Sequence, residues 1–378
     1  MANRGRFSEL KLVADDWNAV FPGNRDPFDG RQVEPFFIYG NHDVDSWSYL
    51  NEGVSDLVCR DVAGAWKRAF GEDYAPIQTK VVRGYVFVGA HWGNEDGMKN
   101  WLADNAKRLS LTGDRPFFYV QHPYLRDTND PENTATDDRG FVTKALSDYP
   151  NAVAFAGHCH RSLADDRQFW QGAFSSIGCS SLSYLWLPDA LGGHGRSRKQ
   201  SSMVWDSDLA REAMIVDVFD SCLNIERIDM LEPESLADDV VVRIPARGED
   251  SPLAFKNQMA LTKPPEFPAG AVLEEWREQG NDRQSAIQNQ VVLKFPIAES
   301  RLGNSRAIRY LVQVFADGQD GPVFRDYMLH PHFFRNPRRF DRNVVIRIPA
   351  SSLPDGVRLS YAVAPEDCWG RLGRALSV

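Results

Sequence analysis

PFFIYGNHD, residues 35–43, decides how the first half of this chain is read. The apolar run Phe36, Phe37, Ile38, Tyr39 is bounded by proline and glycine, which reads as a short buried strand. It then stops at an amide, an imidazole and a carboxylate in consecutive positions, Asn41, His42 and Asp43. Apolar strands that end in polar residues recur outward from it. RGYVFVGA (83–90), PFFYVQH (116–122), AVAFAGH (152–158), FSSIG (174–178) and EAMIVDVF (212–219) read as further strands, with helical spacing in MKNWLADNAKRL (98–109) and FVTKALSDY (141–149) between them. Strands alternating with helices predict a layered α/β sheet whose strand ends carry function.

The texture changes twice. LPDALGGHGRSRKQSSMVWDSD, 187–208, has no apolar period and reads as a long functional or disordered loop. Residues 236–264, rich in proline and acids, read as a linker. Beyond it QVVLKFPI, RAIRYLVQVFA, PVFRDYML, NVVIRIPA and VRLSYAVAPEDCW read as half-buried strands of a small all-β sandwich over 265–378, with LEEWREQ the one helical candidate. VVVRIPA (240–246) and VVIRIPA (344–350) read as edge strands ended by proline.

The 378 residues carry 43 Lys plus Arg against 52 Asp plus Glu, a net charge of −9. That balance repels phosphate backbones and anionic lipid, which argues against nucleic acid or membrane surfaces as partners. No apolar stretch approaches the roughly 20 residues of a membrane helix, and the start lacks a signal-peptide pattern, so the chain reads as cytoplasmic as written. Its five cysteines are widely spaced and form no CxxC pair, which indicates neither a disulfide framework nor a thiolate zinc site.

Four of the eight histidines end predicted strands in one half of the chain: His42, His122, His158 and His160. Taken singly, His122 reads as a hydrogen-bonded residue and Asn41 as a turn. An α/β sheet would gather all of them into one crevice. In an extended segment His158 and His160, at i and i+2, would face one side and Cys159 the other.

GNHD at 40–43, QHP at 121–123 and GHCH at 157–160 follow the order and rough spacing of the calcineurin-like metallophosphoesterases, which residues 1–235 resemble. The resemblance implies a layered metallophosphoesterase sandwich in which two divalent ions, Mn, Fe or Zn, hold a bridging hydroxide that attacks a phosphate mono- or diester. It implies Asn41, His122 and His158 as ligands of one ion and His160 as a ligand of the other. His42 would contact the phosphate and protonate the leaving group, with Asp43 orienting its ring. Arg161 reads either as a phosphate contact or as a surface ion pair, and His194 either as a substrate contact or as an exposed loop residue. Residues 265–378 resemble the fibronectin type III or immunoglobulin-like modules that follow some bacterial phosphoesterase domains.

The same resemblance calls for an Asp-x-His and a Gly-Asp ahead of GNHD, and residues 1–39 contain neither. The expectation is therefore an N-terminally truncated, incomplete catalytic unit that holds one ion or none, and is exported if the intact gene carries a signal upstream. FSELKLVADDWNAV, 7–20, reads as the helix that would follow the second missing motif. A non-catalytic binding or scaffold protein is the alternative.

Overall fold

Alternation along the apolar strands sets the layers of the first unit. In the computed structural model, which describes residues 5–44, 56–129, 138–185, 210–244, 251–279, 289–298, 305–330, 333–335 and 342–378, the chain is mixed α/β with several sheets and few helices. It begins with α1 (Phe7–Val20), the single turn α2 (Asn41–Val44) and α3 (Val62–Phe70). α3 is capped at both ends: Asp61 accepts from the Gly64 N–H, and Gly71 closes the helix in the left-handed conformation at φ 74°. Leu10, Tyr39, Val58, Ala65 and Trp66 form the core between these elements.

Next come β1 (Ile77–Val82), β2 (Tyr85–Ala90), α4 (Met98–Asn105), β3 (Phe117–Gln121), α5 (Phe141–Leu146), β4 (Ala152–Ala156), β5 (Phe169–Gln171) and β6 (Ser175–Gly178). They build one sheet in the order β1-β2-β3-β4-β6-β5, parallel from β2 through β6 and antiparallel at both edges. Odd and even residues divide between two cores. Val86, Val88, Phe117, Tyr119, Ala152 and Ala154 face Met98 and Leu102 of α4 and Val142 and Leu146 of α5. Phe118, Val153 and Ile177 face the other way, onto Leu223, Ile225, Leu236 and Val242.

Those last residues belong to a separate antiparallel sheet, β7 (Glu212–Val218), β8 (Cys222–Asp229) and β9 (Glu234–Arg243), in the order β7-β8-β9. The 212–219 strand thus joins this small sheet, because β5 already occupies the edge beyond β6. The stretch expected as a linker, 236–264, holds most of β9 and the helix α6 (Phe255–Leu261).

The remaining strands are β10 (Glu274–Glu278), β11 (Gln290–Pro296), β12 (Ala307–Ala316), β13 (Pro322–Leu329), β14 (Asn343–Pro349), β15 (Leu359–Asp367) and β16 (Leu376–Ser377). LEEWREQ is a strand, β10, and not a helix; its Trp276 lies opposite Val292 of β11. Sheets β10-β11-β14 and β13-β12-β15-β16 share one core, in which Val291, Leu293, Phe295 and Ile346 of the first meet Tyr310, Val312, Val314 and Val363 of the second. Both VxVRIP-like strands lie at sheet edges as expected, β9 and β14. Ile308, Phe333, Phe334 and Cys368 leave that core and join Phe118, Val153 and Leu223, so the all-β part packs onto the first unit through a common apolar cluster.

Among the described residues no helix is long and apolar enough to cross a membrane. None of the five cysteines forms a disulfide; Cys159 and Cys368 are buried and Cys59 is exposed.

Candidate functional site

The segment that announced the site is not a strand. Residues 34–40 join no ladder; they are tied to the edge strand β1 and to the turn that follows β2. Side chains supply the missing bonds. Gln78 donates to the Phe37 carbonyl, Lys80 Nζ donates to the Pro35 carbonyl at 2.7 Å, and the Tyr39 N–H donates to His91 Nδ1 at 2.9 Å. Trp92 N–H closes the join by donating to the Tyr39 carbonyl at 3.0 Å.

The chain then turns into α2. Asp43, buried, accepts from the Gly40 N–H at 2.7 Å, which shapes the turn that presents Asn41 half-buried and His42 exposed. Gly40 is required for a steric reason: a Cβ there would lie 2.8 Å from Cε1 and Nδ1 of the His122 ring. At the end of β3, Gln121 Nε2 donates to the Pro123 carbonyl at 2.8 Å and fixes the turn that carries His122.

After β4, His158 and His160 adopt left-handed backbone conformations, at φ 46° and 49°. Cys159 N–H donates to the Gly157 carbonyl at 2.5 Å across the turn centred on His158. Non-glycine residues in this region cost on the order of 1–3 kcal/mol each, and such strain gathers at functional sites. The extended geometry expected for this pair is therefore replaced by a strained loop, though Cys159 does face the core.

The ends of β3 and β4 converge with the start of α2. His122 Nε2 lies 2.9 Å from Asn41 Oδ1 and 3.2 Å from His158 Nδ1. The His122 and His158 ring centroids are 4.9 Å apart. His160 Nδ1 lies 2.9 Å from the Tyr184 carbonyl. A carbonyl only accepts, so Nδ1 carries the hydrogen and Nε2 presents its lone pair. Burial, followed by the nearby His158, His160 and His42 rings, pushes His122 down to about 3. Burial also lowers His160, with contributions from His158, His42 and Arg161. These mutual effects place the four imidazoles in one electrostatic neighbourhood.

Arg161 is 3% exposed, so the surface ion pair considered for it does not apply; its buried charge acts on His160. His194 and the loop 187–208 lie outside the described residues. Trp170 packs on Phe174 at 5.5 Å, within the core on the helical face of the sheet, and not at the site.

Sequence reading passed over four residues that shape the group. His91 follows β2 as His158 follows β4, and the same strand-end signal, GAH against AGH, was available in the sequence. Its Nδ1 accepts from Tyr39, its ring is enclosed by Trp66, Tyr74 and Tyr39, and burial pushes it down to about 4. Trp92 packs on His122 and His158, and Tyr184 on His160. Glu212, 2% exposed, accepts from Ser162 Oγ, Leu163 N and Ser180 Oγ at 2.6–2.7 Å, tying the histidine loop to the segment that leads to Tyr184. No signal for Tyr184 or Glu212 exists in the local sequence.

The donor set fits one ion. Donors around a first-row ion with bonds of about 2.1 Å are separated by roughly 3.0–3.4 Å, and the contacts of His122 Nε2, 2.9 Å to Asn41 and 3.2 Å to His158, are close to that spacing. His122 is held neutral, as a ligand must be. Among the described residues, no group of three or more His, Cys, Asp or Glu is arranged to hold a metal. The set here is two imidazoles and a carboxamide, with no carboxylate to bridge a second ion.

No protein-family model and no curated protein matches the chain.

Proposed function

We propose that this chain is a metal-dependent phosphoesterase of the calcineurin-like kind, acting on phosphate mono- or diesters, with one ion at Asn41, His122 and His158. The observation that carries the reading is the convergence of those three donors, one from the turn into α2 and two from the ends of β3 and β4, around His122 Nε2. On this reading the first unit is an incomplete form of that family's layered sandwich, and residues 265–378 are a fibronectin type III or immunoglobulin-like module.

A divalent ion of the Mn, Fe or Zn class, when bound, supplies Lewis-acid polarisation of a phosphoryl oxygen and a hydroxide at neutral pH. The chain's own residues do the rest. His42, exposed on α2, binds a phosphoryl oxygen and holds the proton that the leaving oxygen takes. Asp43 fixes the turn under it through the Gly40 N–H. His160, its Nδ1–H committed to the Tyr184 carbonyl, offers Nε2 toward the phosphoryl group or a second, weaker ion. The buried Arg161 adds positive charge beside His160 that favours an anionic substrate.

Hydrolysis of 4-nitrophenyl phosphate and its bis-ester, measured with Mn²⁺, Fe²⁺ and Zn²⁺ in turn, tests this. The expected result is slow turnover that His158→Ala abolishes. Turnover equal in the variant would contradict it.

That no carboxylate joins the set among the described residues favours a second reading, a non-catalytic binding or scaffold protein. It predicts uptake of an ion without hydrolysis under any of the three metals.

A further inference from the structure

Two large aromatic side chains border the imidazole group without belonging to any hydrophobic core. Trp92 is half-buried, and its ring centroid lies 5.8 Å from that of His122 and 5.6 Å from that of His158. Tyr184, also half-buried, lies 4.4 Å from His160 with the planes tilted by 35°. Neither residue is a member of the four apolar clusters. The backbone holds Trp92 in place: its N–H donates to the Tyr39 carbonyl, and Gly93 turns the chain away at φ 82° with open space around it. Among the described residues Trp92 packs on the histidines and in none of the apolar clusters.

We infer that Trp92 is a specificity-determining residue that takes a planar aromatic group attached directly at the phosphoryl oxygen or phosphorus, with Tyr184 bordering the same face beyond His160. This rests on the phosphoester reading. The distances limit the ligand class. A phosphoryl group on an ion at Asn41, His122 and His158 would lie beside the two imidazoles on which the indole packs at 5.6 and 5.8 Å, so an aryl substituent is long enough to reach the indole and a methyl group is not. Stacking on an aromatic side chain is worth on the order of 1 kcal/mol or more, which corresponds to a preference of about tenfold.

Phenylphosphonate and methylphosphonate separate this preference from leaving-group chemistry, because neither is hydrolysed. Their affinities for the full chain with saturating Mn²⁺ are to be measured by calorimetry, for the wild type, Trp92→Ala and Trp92→Phe. The expected result is phenylphosphonate tighter than methylphosphonate by about tenfold in the wild type, a preference mostly kept by the Phe variant, and near-equal affinities of the two in the Ala variant. Equal affinities in the wild type, or an unchanged preference in Trp92→Ala, overturn the assignment of Trp92 alone. Failure of both phosphonates to bind the wild type overturns the phosphoester reading and this inference with it.

Discussion

His122 is the residue on which the site turns. It touches Asn41 and His158, Trp92 packs on it, and Gly40 is kept without a side chain beneath it. Two neighbouring glycines make opposite predictions from this arrangement. Gly40→Ala would drive a methyl to 2.8 Å from the ring, an overpacking of the kind that costs about 1–3 kcal/mol and that displaces the ligand. Its melting temperature should fall and its Mn²⁺ affinity drop by about tenfold, as for other changes that disturb ligand orientation. Gly157→Ala places its methyl 3.8 Å from the same ring, an ordinary contact, and both properties should stay near the wild-type values. Equal effects of the two substitutions, measured by thermal unfolding and Mn²⁺ titration, would remove Gly40 from the account.

At the scale of elements, the strand-end histidines were legible because period-2 alternation exposes where a buried strand stops. Strands at 85–90, 117–121, 152–156 and 175–178 are where their apolar runs put them. The run 36–39 has the same composition, yet it joins no sheet and is held by the Gln78 and Lys80 side chains of the edge strand β1. Those ties come from a strand distant in sequence and leave no local mark. β1, IQTKVV, went unrecognised because Gln78, Thr79 and Lys80 dilute its apolar content, and two of those polar side chains are the ones that bond the 35–37 carbonyls. The left-handed His158 and His160 were equally invisible, since only glycine announces that conformation in a sequence.

Glu212 gives this scale a pH-dependent prediction. Burial pushes its carboxyl up from 4.5 to about 7, with the donors from Leu163, Ser162 and Ser180 pulling the other way. A carboxyl raised on folding contributes stability that is fully present below about pH 4.5 and is lost as pH rises through about 7. Glu212→Gln keeps the shape: its oxygen can accept from Leu163 and Ser180 while its amide donates to the Ser162 hydroxyl. The wild type should therefore lose more melting temperature than the variant between pH 5 and pH 8 under otherwise equal buffers, by an amount corresponding to at most about 3 kcal/mol. Parallel curves for the two proteins would show that Glu212 does not titrate in that window. His91 works in the opposite sense. It is held down to about 4 against 6.5, so its contribution is present above about pH 6.5 and is lost as pH falls through about 4.

For the whole molecule, the two β-sheets after residue 270 are fastened to the first unit by more than a shared apolar cluster. Arg335 pairs with Asp229, and both are buried. Arg306 donates to the Leu236 and Arg335 carbonyls at 3.3 and 2.8 Å, and Arg371 donates to the Thr262 carbonyl at 2.8 Å. Arg335 is thus a buried tie to β8. Removing one partner of a buried pair strands the other charge, so Arg335→Ala should cost about 3 kcal/mol. Because the cluster spans both parts, calorimetry of the wild type should record one unfolding transition in which calorimetric and van't Hoff enthalpies agree. Two separated transitions would mean that the parts fold independently.

The central claim is that Asn41, His122 and His158 hold an ion. It is met most directly by titrating the full chain with Mn²⁺ and following free Mn²⁺ by electron paramagnetic resonance. Uptake of one ion per wild-type chain, lost in both Asn41→Ala and His158→Ala while their melting temperatures without metal match the wild type, is the predicted result. Uptake by either variant equal to that of the wild type would contradict it.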